Sequence, residues 1–152
     1  MAQLESALFT VAVFKDTAWA ERGIAALKQQ GFTTDMITVA AKASADTTAF
    51  IERALGIPPE EWELPVIGAA VVRGALGETL NGTARDLGRI GMAAAMRRAG
   101  FQAHDGLIFE TLGGKGGVLV AVRDAPRAAD ALAVMQSYGG GNAAIGAWAG
   151  RV

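Results

Sequence analysis

Gly113-Gly114-Lys115-Gly116-Gly117 sets four glycines around one lysine, the clearest candidate for ligand chemistry in the chain. Glycine lets backbone N–H groups close on an anion and lysine adds charge, so this run is a candidate small-ligand turn. A phosphate loop, however, follows a strand, opens a helix and carries a Ser or Thr behind its lysine. Here a predicted helix precedes the run and the strand-like Val118-Leu119-Val120-Ala121-Val122 follows it. The competing reading is a flexible turn that ends the preceding helix.

His104 is the only histidine, and Asp105 and Glu110 stand near it in the sequence. Such a set makes a proton carrier or a metal ligand, but a metal site needs several converging ligands, and without Cys only carboxylates remain. A surface or helix-capping histidine is expected, with no metal and no cofactor. Ser6, Ser44 and Ser137 are the only serines and none lies in a Gly-x-Ser-x-Gly elbow, so no Ser–His–Asp hydrolase is expected. Glu60, Glu61 and Glu63 follow Pro58-Pro59, which reads as the acidic start of a helix rather than a pair of catalytic carboxylates. Trp62 is expected to anchor that segment against the core.

Arg73, Arg85, Arg89, Arg97 and Arg98 make the middle of the chain basic: residues 1–64 carry five Lys or Arg against nine acids, and residues 65–152 carry nine against six. RNA-binding sheets stack bases on exposed aromatics of their central strands, yet the strand at Val118 offers none and the first strand only Phe9 and Phe14. No nucleic-acid partner is expected; the arginines are expected to pair with acids or with a partner subunit.

The elements that must position these residues are clearest at the two ends. Leu8 to Phe14 is apolar on both faces, as a central strand is, and Asp16 can cap a following helix. Ala20, Gly23, Ile24 and Leu27 then recur at helical spacing, Gly31 suits the residue after the helix end, and Met36 to Ala40 reads as a second strand. With a one-residue gap the other end superposes on this one: Val11-Ala12-Val13 on Val120-Ala121-Val122, Asp16 on Asp124, Ile24 on Leu132, Gly31 on Gly139 and Ile37 on Ile145. Duplication and convergence on the same capping and packing rules both explain the match. Two βαβ units predict an α+β fold, a ferredoxin-like split-βαβ sheet of four antiparallel strands with two helices on one face. Its other face must then be covered by the middle of the chain or by another subunit.

That middle reads as helical: 45–55, a break at Ile57-Pro58-Pro59, then 66–80 and 83–98, with Asn81-Gly82 as a turn and a last helix over 101–112. Gly74-Ala75-Leu76-Gly77, Gly88-Arg89-Ile90-Gly91 and Ala93 to Ala95 give small faces on which two helices can pack closely. The predicted organisation is one domain over 1–152, with a βαβ unit at 7–41, a Gly/Ala-rich helical insertion at 42–114 and a second βαβ unit at 115–148.

Composition narrows the classes. Of 152 residues, 32 are Ala and 20 are Gly, against ten aromatics, so the core is expected to rest on close backbone approach. Without Cys there is no disulfide framework, no thiolate nucleophile and no Cys-based metal site. Met1 to Ser6 carries Glu5 and no base, and Pro65 to Val72 is far short of the roughly 20 residues a bilayer span needs. A cytosolic protein with no secretory signal and no transmembrane segment is expected.

Val11-Ala12-Val13-Phe14, then Ala20, Ile24, Leu27, Gly31-Phe32 and Asp35-Met36-Ile37-Thr38-Val39-Ala40-Ala41-Lys42, resemble the opening of the bacterial heat-induced or general stress protein domain of the YflT type. Phe109-Glu110, Gly116-Gly117, the strand at Val118 to Val122 and a last helix from Ala128 to Tyr138 resemble its end. Phe109 where that family has Tyr, the added Ile57 to Glu63 segment and the Arg-rich middle depart from it. The resemblance implies stress-associated expression and a fold, but no reaction. The expected function is therefore a non-enzymatic, homo-oligomeric structural or interaction module. A small-ligand regulator binding metabolite or nucleotide at residues 113–117 is the alternative, and an enzyme of the dimeric ferredoxin-like barrel type using His104 is third.

Overall fold

The computed structural model describes residues 8–81, 85–98, 110–111, 114–123 and 125–147. Strand β1 (Leu8–Phe14) leads into helix α1 (Thr17–Gln29), whose first turn is capped where the Trp19 amide donates to Asp16 Oδ1 at 2.9 Å. Ala20, Gly23, Ile24 and Leu27 are buried on α1 as their spacing requires, and Gly31 leaves the helix with φ of 95°. Strand β2 (Ile37–Lys42) follows, then helix α2 (Ala45–Leu55), held at its start by a Ser44–Thr47 capping box and ended at Gly56.

After the Pro58-Pro59 break come two strands, β3 (Glu60–Leu64) and β4 (Gly68–Arg73), and only then three short helices, α3 (Ala75–Asn81), α4 (Leu87–Ile90) and α5 (Met92–Arg98). The chain closes through β5 (Val118–Val122), α6 (Ala128–Ser137) and β6 (Gly141–Ala147).

These strands form one six-stranded antiparallel sheet in the order β3-β4-β2-β5-β1-β6. This overturns the expected four-stranded ferredoxin-like sheet, although the α+β class holds. The reason lies in the segment 42–114, expected as a helical insertion. Its residues 60–64 and 68–73 form a hairpin that pairs along β2, with Ala40 opposite Val72 and Ala41 opposite Val71. Glu60, Glu61 and Glu63 therefore lie on a strand rather than at a helix start.

Alternation along the strands makes two cores. Ala12, Phe14, Val39, Ala41, Val71, Val118, Val120 and Val122 face α1, α2 and α6, where Ile24, Leu27, Phe50, Ile51 and Met135 meet them. Phe9, Val11, Val13, Ala40, Val72, Leu119 and Ala121 face the other way and are covered by Leu76, Leu80, Leu87, Met92 and Met96 of α3 to α5. The second face is thus buried by the middle of this chain. The middle glycines do not pair two helices as expected. A Cβ at Gly77 would come within 2.8 Å of Val72 Cγ1, and one at Gly88 within 3.0 Å of the Glu63 carbonyl oxygen, so both bring helices onto the hairpin.

Gly74 makes the bend from β4 into α3. Its φ is 127°, and a side chain there would stand 2.5 Å from Thr38 Cα, so only glycine lets the chain turn against β2. Beside it, buried Thr38 Oγ1 accepts the Leu76 amide of α3 at 3.0 Å. No helix among the described residues is long and apolar enough to cross a membrane.

Candidate functional site

Four segments meet at the end of the sheet where the glycine-rich turn lies: the end of β2, the β3–β4 turn, the start of α5, and residues 110–111 with 114–117. Lys42 Nζ, on β2, donates to the Gly114 carbonyl at 3.4 Å. The Glu110 carboxylate is buried, 8% exposed, and its Oε2 accepts the Ala93 amide in the first turn of α5 at 3.2 Å. Gly91 permits that approach, because a Cβ there would stand 3.2 Å from the same oxygen. In the β3–β4 turn the Ile67 amide donates to the Pro65 carbonyl at 2.8 Å around Val66, whose φ is 71° and whose side chain is 73% exposed. That tight three-residue turn with a positive central φ is rare for a β-branched residue.

Glu110, Lys42 and Gly114 hold backbone here; they are not turned on a common point. Lys115 and Gly116 are exposed in the turn, and Gly117 is buried as β5 begins. The turn is preceded by helical residues and opens a strand, the arrangement that argued against a phosphate loop. Gly113, His104 and Asp105 lie outside the described residues.

The three glutamates of β3 are separated by its pleat. Glu60 and Trp62 stand opposite Val72 and Ala70, while Glu61 and Glu63 stand opposite Val71 and Ala69, so the set divides between the two faces. Glu60, Trp62, Arg73 and Glu78 line a cleft of about 250 Å³ between the hairpin and α3. Arg73 reaches Glu60 at 3.8 Å across it, and Trp62 packs partly into the core, as expected for an anchor. The cleft thus presents one aromatic face, two carboxylates and one guanidinium. Among the described residues no three His, Asp or Glu side chains gather to hold a metal ion.

The arginines mostly answer to acids of the chain. Arg98 Nη1 donates to Asp86 Oδ1 at 2.9 Å and its Nη2 to the Leu80 carbonyl at 2.7 Å, closing the end of α3 against α5. Arg89 Nη2 takes the other oxygen of Asp86 at 3.0 Å, while Arg85 and Arg97 are exposed. The hydrogen bond from Arg98, reinforced by the positive charges of Arg98 and Arg89, holds the Asp86 carboxyl below its ordinary pKa. Buried Asn81 completes this cluster by accepting the Leu87 amide through Oδ1 at 3.2 Å.

Asp86 and Thr38 were not singled out from the sequence, and Asn81 is expected there only as a turn residue. An Asp just before Leu87-Gly88-Arg89-Ile90 reads as a helix cap, yet the Asp86 side chain makes no cap bond and accepts from Arg89 and Arg98 instead. The hydrogen bonds of Thr38 and Asn81 had no such signal, because their partners are 38 and 6 residues away and are selected by packing. No protein-family model, curated protein or solved structure matches the chain.

Proposed function

We propose that this chain is a non-enzymatic module that works by self-association, and that its expression is stress-associated, as the resemblance to the YflT-type domain implies. A cytosolic location belongs to the same reading. The observation that carries self-association is the difference between the two edges of the sheet. Both faces are covered by the chain's own helices, so a second copy must come to an edge or to the outside of a helix. The β3 edge carries Glu60, Glu61 and Glu63, which set like charges against a second copy of themselves. The β6 edge, Gly141-Asn142-Ala143-Ala144-Ile145-Gly146-Ala147, carries no charge. Native mass spectrometry with sedimentation velocity from sub-micromolar to tens of micromolar tests the reading. A defined oligomer is expected, and a strict monomer throughout that range overturns it.

A small-ligand regulator is the second reading, and the Trp62 cleft favours it. The ligand would then sit between Glu60, Arg73 and Glu78, away from residues 113–117. A metabolite at 100 times its Kd would add about 2.7 kcal/mol of stability. A thermal-shift screen in which every hit survives Trp62→Ala unchanged would remove the cleft from this reading.

A further inference from the structure

Resting on the self-association reading above, we infer that the interface is a two-layer strip formed by the outer edge of β6, the last strand of the sheet among the described residues, and the flank of α6 beside it, and that its occupant is the same strip on a second copy. On its inner side β6 pairs with β1, Thr10 opposite Ile145 and Val11 opposite Ala144. Among the described residues no strand pairs with its outer side. Open edges without charge, proline or a covering element are templates for a further strand.

Helix α6 lies over this edge. It packs on β1 and β6, and Thr10 Oγ1 of β1 donates to the Ala128 carbonyl at 3.4 Å. Ala128, Ala131 and Met135 face the sheet. Asp130, Val134 and Ser137 border the groove shared with α1. At 100° per residue the flank turned away from α1 holds Ala129, Leu132 and Gln136, spaced by three and four. None of them is charged; Leu132 is half-buried and the other two are exposed.

An uncharged strand edge beneath an uncharged helix flank sets no like charges against themselves where each copy meets its own surface across a two-fold axis. Antiparallel pairing of β6 with β6 continues the sheet through both copies and sets the two α6 flanks side by side, Leu132 near its counterpart. The helix layer is needed, because one short strand pair alone does not approach the roughly 1,200 Å² of total area typical of a specific interface. The opposite edge cannot serve in the same way, because antiparallel β3 strands would oppose glutamates.

Leu132→Lys places a cation on this flank, while Ser137→Lys places the same charge on the flank facing α1 and serves as the control. Sedimentation velocity on both, with circular dichroism to verify folding, is combined with hydrogen exchange of residues 141–147 in the unmodified protein at low and high concentration. The expected result is a dissociation constant raised on the order of tenfold or more by Leu132→Lys and little changed by Ser137→Lys, with β6 amides exchanging more slowly as concentration rises. An oligomer that ignores Leu132→Lys and leaves β6 exchange independent of concentration overturns this interface while self-association stands. A monomer at every concentration overturns both. Should Leu132→Lys fail to fold, the exchange measurement decides by itself.

Discussion

Replacing Thr38 by valine tests the contact that docks the middle of the chain onto the sheet. Thr38 is 2% exposed on β2, and its hydroxyl oxygen accepts the Leu76 amide at 3.0 Å. That amide belongs to the first turn of α3, where no intrahelical carbonyl is available to it. Valine keeps the size and branching of threonine, so no cavity opens, but the Leu76 N–H loses its acceptor in a buried place. An unpaired buried donor costs about 1–3 kcal/mol, and the added methyl returns less than about 1 kcal/mol. The net loss is about 1–2 kcal/mol, or a fall in Tm of about 2–8 °C for a domain of this length. Urea unfolding followed by circular dichroism should show a lower midpoint with an unchanged slope, and Leu76 amide exchange should accelerate in the folded protein. If Thr38→Val unfolds within about 0.5 kcal/mol of the original and Leu76 exchanges as before, α3 does not sit on β2 in this register, and the account of how the second sheet face is covered fails.

Asp86 predicts a pH dependence. Because its folded carboxyl titrates below 3.8, the usual value, it adds stability that is fully present above that pH and is lost as pH falls through the lower folded value. Asp86→Asn should therefore lower stability most at neutral pH and flatten its decline below about pH 4, read from urea midpoints across an acid series. At the start of α5, Glu110→Ala should cost about 1–2 kcal/mol by leaving the Ala93 amide without its acceptor, while Glu110→Gln, which keeps an oxygen there, should cost less. Equal losses in the two variants would show that the carboxylate's charge, not its acceptor oxygen, matters.

Much of the outer frame was legible in the sequence. The apolar run of β1, the Asp16 cap, the stripe of α1 and Gly31 are local signals, because a cap or a helical stripe is specified by residues within a few positions of one another. The superposition of the two ends also corresponds to real elements: Gly31 and Gly139 both leave their helices at positive φ, and α1 and α6 pack side by side. The hairpin was not legible. Ala69-Ala70-Val71-Val72 is small and apolar on both faces, and such a run fits a buried helix and a buried strand equally well.

What the sequence determined by itself is the α+β class, the βαβ character of both ends, and the absence of every chemistry that needs cysteine. Tertiary structure alone decided that the hairpin adds β4 and β3 beyond β2, that Glu60 and Glu61 face opposite sides, and that Thr38, Asn81 and Glu110 spend their acceptors on the amides of α3, α4 and α5. The physical reason is range. Helix caps and stripes are set by neighbours in the chain, whereas strand partners and buried hydrogen bonds are chosen between distant segments, by whichever arrangement leaves least apolar surface in water and fewest polar groups unpaired.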